Sequence, residues 1–201
     1  MRKSRRSVVM VLGVAGVGKT RFSAKLASSL GAEFIDIPEL VKKKKIYSSY
    51  DEKSQAYLVD FRKVSAAVGA ELSGDLGVVA SIYPFKPRNA EVIYAIVLRM
   101  NPVKLVEVLK ARGYPAEKIR ENVSAELIDQ PFSEAVERYG RDKVVQVDVT
   151  GRSLEDLAEE AAEKLKLGRL RELDQRIDWI GELERAGRLD ELLRFLDYAG
   201  G

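Results

Sequence analysis

Short apolar runs alternate along the chain with amphipathic, charge-rich stretches, which predicts strands interleaved with helices. Val8–Leu12 is unbroken apolar sequence, as a strand buried on both faces requires. Arg21–Leu30 places Phe22, Leu26 and Leu30 four apart on one helical face. Ala32–Asp36, Leu76–Ile82, Ala90–Leu98 and Lys143–Val149 predict four further strands, and Pro84–Asn89 a proline-marked loop. Pro102 opens a helix with Val103, Val106 and Leu109 at helical spacing, ending near Arg112-Gly113. Residues 115–139 read as helical and charged, and Ser153 with Asp156 approximates a capping box at the start of another helix. Beyond Leu167, two helical stretches (169–186 and 188–198) meet at Gly187. Their Ile177, Ile180, Leu183, Leu192, Leu193, Phe195 and Leu196 are read as packing positions. The whole implies an α/β fold: a five-stranded parallel sheet covered by helices on both faces, with ligands at the carboxyl ends of its strands.

Between the first strand and the first helix lies Gly13-Val14-Ala15-Gly16-Val17-Gly18-Lys19-Thr20, an ungapped fit to G-x-x-x-x-G-K-[ST]. Glycines let successive N–H groups turn inward around a phosphate, and the helix N-terminus adds partial positive charge. The motif predicts a P-loop for a nucleoside triphosphate. Its binding set is Gly13, Ala15, Gly16, Val17, Gly18, Lys19, Thr20 and Arg21. Lys19 is expected to reach the β- and γ-phosphates, and the Thr20 hydroxyl to ligate Mg²⁺.

Composition narrows the chemistry further. The chain has 201 residues, 46% of them hydrophobic, enough for one core with a modest appendage. It contains no Cys and no His, so disulfides, thiolate chemistry and imidazole catalysis drop out, and any metal ligands must be oxygens. A net charge of +3 gives no strong global field for nucleic acid. The 32% charged content, with few amides, leans towards heat adaptation. The basic opening Met1-Arg2-Lys3-Ser4-Arg5-Arg6 is followed by too short an apolar run for a signal peptide or a membrane span, so a cytoplasmic protein without membrane contact is expected. That opening reads as a solvated terminus, with contact to RNA or an acidic partner as the alternative. Residues 38–70 read as a polar insertion covering a substrate. Lys42–Lys45 is either a solvated helix face or a set of cations beside a second-substrate pocket.

The second half carries a longer pattern: Val97-Leu98-Arg99-Met100-Asn101-Pro102, Leu105, Leu109, Arg112-Gly113-Tyr114, Lys118-Ile119, Glu121-Asn122 and Ala125-Glu126. With Tyr47, Tyr50-Asp51-Glu52 and Val147–Gly151, it resembles the adenylate-kinase-like P-loop family of human adenylate kinase isoenzyme six, the coilin-interacting nuclear ATPase, and its archaeal relatives. The resemblance implies a P-loop nucleotide-kinase-like domain over residues 1–167, with an NMP-binding region at 38–70 and a lid at 112–122. A C-terminal helical extension then spans 168–201. It implies Mg²⁺-dependent phosphoryl transfer between ATP and AMP, and an ATPase role in maturing the small ribosomal subunit. The partners in that second role are a small-subunit ribosomal protein and pre-ribosomal RNA. By the same resemblance, Lys19, Arg112 and Arg99 hold the transferring phosphate, with a strand-end salt bridge as the equal alternative for Arg99. The chain departs from the family after the third strand. An acid and, two positions on, a histidine are expected there, and Ala80-Ser81-Ile82 stands instead. Loss of that pair should impair hydrolysis, which needs a positioned water, more than transfer to AMP, whose phosphate is already an anionic nucleophile.

Overall fold

The computed structural model describes residues 6–51 and 56–197. Met1–Arg5 of the basic opening, Glu52 of the resemblance and the end of the last helical stretch lie outside the described residues. Strand β1 (Arg6–Leu12) runs into the glycine loop and helix α1 (Lys19–Leu30); β2 (Glu33–Asp36) and α2 (Ile37–Lys44) follow. A two-stranded antiparallel hairpin, β3 (Ser49–Asp51) with β4 (Ala56–Leu58), leads to α3 (Phe61–Glu71), β5 (Leu76–Ala80) and β6 (Ala90–Arg99). Then come α4 (Pro102–Ala111), α5 (Ala116–Leu127), α6 (Gln130–Tyr139), β7 (Val144–Asp148) and α7 (Leu154–Lys166). A 3-10 turn (Leu170–Leu173), α8 (Trp179–Arg185) and α9 (Leu189–Asp197) complete the described chain.

The five long-range strands form one parallel sheet in the order β2-β5-β1-β6-β7. β1 is central, so its side chains alternate between two buried faces. Val9 and Val11 join α1, α4, α5 and α7 on one side, while Val8, Met10 and Leu12 join α2, α3 and α6 on the other. All the strands point the same way, which gathers Asp36, Ala80, Leu12, Arg99 and Asp148 along one edge.

Three expectations change. Residues 38–70 are not wholly a covering insertion: Leu40, Val41, Val64 and Val68 are core, and the hairpin is what projects. The helical stretch 115–139 is two helices, broken where Asp129 takes φ 57°. The extension is less helical than expected between residues 174 and 178, but Leu170, Leu173, Trp179, Leu183 and Leu192 are buried with the sheet core. Ile180 and Leu193, read as packing positions, face outward. Among the described residues no helix is long and apolar enough to cross a membrane.

Candidate functional site

The loop between β1 and α1 owes its shape to three glycines at positive φ, Gly13, Gly16 and Gly18. Gly13 leaves the strand at φ 139°, and a Cβ there would meet the Leu98 carbonyl oxygen at 2.6 Å, so no side chain fits. Gly18 takes φ 96° immediately before α1, where a Cβ would strike Leu154 of α7 at 2.3 Å. Gly18 supplies no side-chain cap and the first turn of α1 carries no acid, so its leading N–H groups stay available to an anion. Val17 turns its side chain into the core and anchors the loop from below.

Lys19 lies against this loop, its Nζ donating to the Val14 carbonyl oxygen at 2.8 Å. Burial pushes its pKa down to about 8; the nearby Arg112 acts in the same direction, while Asp36 and Glu126 oppose it. Arg112, exposed at the end of α4, is therefore within electrostatic reach of the same ammonium. Thr20 Oγ1 donates to Asp36 Oδ2 at 2.7 Å, tying the first turn of α1 to the end of β2. Arg21 does not turn its side chain to the loop: it pairs with Glu155 of α7 at 2.7 Å. What Arg21 offers the loop is its backbone amide.

Arg99 requires a correction. Expected at a phosphate, it is fully buried beneath the sheet edge. Its Nε donates to Glu126 Oε1 at 2.7 Å, Nη1 to Gln146 Oε1 at 2.8 Å, and Nη2 to Asp129 and to the Glu126 carbonyl. A guanidinium so enclosed and satisfied is a structural clasp joining β6, β7 and α5. Glu126 Oε1 also accepts the Trp179 indole N–H at 2.8 Å and the Met100 amide at 3.2 Å. Burial raises the Glu126 carboxyl to about 7, against the opposing pull of Arg99 and the bonds from Trp179 and Met100, and its second oxygen has no partner.

Two features escaped the sequence. Asn122 of α5 accepts the Ala15 amide at 2.8 Å and donates to the Lys118 carbonyl at 2.8 Å, pinning α5 to the loop across 107 residues of chain. Only the quoted family pattern pointed to Asn122, and no local periodicity marks it. Beyond β5, an aromatic face forms where Phe61 meets Tyr83 edge-on at 6.0 Å and Phe85 at 5.9 Å. Tyr83, Ile82, Tyr47 and Leu58 expose apolar surface around the hairpin at this end of the sheet. Lys42–Lys45 sits at the far end of α2, where cations complement the helix dipole and Lys44 pairs with Glu71.

This loop, sheet order and helical covering define a P-loop α/β protein. Solved structures share the fold: a gluconokinase from Sinorhizobium meliloti (TM-score 0.52, 22% identity, 85% of this chain and 96% of that one) and a thymidylate kinase from Candida albicans (0.51, 14%, 86% and 96%). The family described as an AAA domain matches residues 9–129, and the chain belongs to it. Relatives that bear the name "Putative adenylate kinase" are 34% identical over 185 residues in Saccharolobus islandicus, covering 92% of this chain and 94% of the relative. One in Methanocaldococcus jannaschii is 33% identical over 190 residues, covering 94% and 96%.

Proposed function

We propose that the chain is a nucleoside monophosphate kinase of adenylate kinase type, converting ATP and AMP to two ADP. The observation that carries this reading is the uncapped first turn of α1, which bears Lys19 and Thr20 with Arg112 within electrostatic reach of the Lys19 ammonium. The names of the archaeal relatives support it.

In this reading the amides from Gly13 to Thr20 hold the phosphates, and Lys19 neutralises the β/γ pair. Arg112 at the lid segment 112–122 takes up charge that develops on the transferring group, for which a guanidinium fork is suited. AMP enters between the hairpin of the 38–70 region and the Tyr83 face, its base against the exposed aromatic ring. An oxygen of its phosphate attacks the γ-phosphorus, the bridging β–γ P–O bond breaks, and ADP leaves with that electron pair. The nucleophile is already anionic, so no general base is needed, which suits a chain without His. The donors offered here are a hydroxyl and a carboxylate, a fit to a hard cation. Mg²⁺, when bound, spreads the charge of the phosphates.

Lys19→Ala tests the phosphate site. ATP affinity should fall about 10- to 100-fold with loss of one charge-assisted bond set, and unchanged affinity would contradict the reading. The exposed apolar side chains Tyr47, Leu58, Ile82 and Tyr83 also suit a protein segment. They favour the second reading that the resemblance implies: a nucleotide-switched assembly factor gripping a small-subunit ribosomal protein.

A further inference from the structure

P-loop enzymes hold their cation with the loop Ser/Thr and with an acid beyond the loop. At the end of β5, beside the loop, no carboxylate is present. Ala80 is buried, the Ser81 hydroxyl donates to the Tyr83 carbonyl at 2.8 Å, and Ile82 is apolar. One strand further out, Asp36 is the register partner of Ala80. We propose that Asp36 supplies the missing acid of the divalent-cation site, acting with Thr20 from β2 rather than from β5.

The hydroxyl geometry supports this assignment. A hydroxyl that ligates a cation must send its proton elsewhere, and Thr20 Oγ1 already donates to Asp36 Oδ2, at 2.7 Å. Its lone pairs are thereby left for a cation at the mouth of the loop. Asp36 Oδ1 accepts the Glu39 amide at 3.2 Å, so the N-terminus of α2 orients the carboxylate from behind. Among the described residues, two other carboxylates along this edge are already engaged. Glu126 is enclosed with Arg99 and Trp179, and Asp148 Oδ1 takes both the hydroxyl and the amide of Thr150.

The plain alternative is that Asp36 only caps α2. Asp36→Asn separates the two roles, because the amide oxygen still accepts from the Glu39 amide and keeps the cap, while an uncharged NH₂ replaces the oxygen that faces Thr20. This inference rests on the loop being an ATP site, so ATP binding to the full chain is measured calorimetrically in EDTA and in Mg²⁺. Asp36→Asn and Asp36→Ser are compared with the native chain. Expected are unchanged melting temperatures, ATP binding retained in EDTA, and a loss of about tenfold or more in the affinity gained from Mg²⁺. The capping-only role is established, and the inference overturned, if either folded variant keeps the full Mg²⁺ gain. Absence of ATP binding to the native chain under both conditions would instead overturn the nucleotide-site reading itself.

Discussion

Lys19 is the residue whose chemistry is most sensitive to its surroundings. In the ligand-free chain its pKa is about 8, chiefly because it is removed from water. Bound phosphate charge favours the ammonium, so ATP binding should take up a proton near pH 8. Affinity should then fall up to about tenfold per pH unit above about 8, while below that pH it should level off. Calorimetry in buffers of different ionisation enthalpy reads the proton uptake, and a flat affinity from pH 7 to 10 would contradict the assigned environment. Arg112→Ala should act differently. A cation that meets charge only in the transition state lowers kcat, by about 10³-fold for an arginine of this type, with ATP affinity nearly unchanged. Lys19 was legible in the sequence because a P-loop is local, its glycines and lysine fixed within eight positions. Arg99, for which a phosphate role and a salt bridge stand as equal alternatives in the sequence, is left undecided there for the opposite reason. Its counter-ions Glu126 and Asp129 and its partner Gln146 lie 27 to 47 residues away, and spacing cannot show that they converge.

At the scale of elements, α5 is the piece that joins loop to scaffold. Asn122 near its middle takes the Ala15 amide, and Glu126 one turn on takes Arg99 and Trp179. Asn122→Ala leaves a part-buried amide without its acceptor and should cost about 1–3 kcal/mol, read by urea denaturation. Asn122→Asp retains an acceptor and should recover most of that stability, yet weaken ATP binding by setting a negative charge beside the phosphates. The break between α5 and α6 is brief, only Ile128 and Asp129, the latter in the left-handed region, and the one local sequence signal for it is Pro131 in the first turn of α6. The strands were the easiest elements to read, since burial on both faces leaves an unbroken apolar run such as Val8–Leu12. The hairpin was not read at all: three-residue strands in a polar stretch carry too little periodicity.

Across the whole molecule, the C-terminal extension behaves as part of the core. Leu170, Leu173, Trp179, Leu183 and Leu192 are buried with residues of β7, α5 and α7, each worth about 1.5–3 kcal/mol. Their sum is of the order of a domain's entire stability, about 5–15 kcal/mol. A chain ended after Leu167 should therefore lose cooperative unfolding, and a truncated protein that melts like the full one would contradict this packing. The sequence showed apolar positions on these helices but could not say what they cover, since amphipathicity names a buried face without naming its partner. Trp179 is the only tryptophan, and its indole bond to Glu126 makes its fluorescence a direct monitor of the contact between extension and α5.

The most direct test of the proposed chemistry is ADP production from Mg-ATP by the purified chain, measured with and without AMP and the other nucleoside monophosphates. The expected result is ADP formation that depends on AMP and disappears in Lys19→Ala. Tight ATP binding with no transfer to any monophosphate would contradict the kinase reading and favour the nucleotide-switched assembly factor.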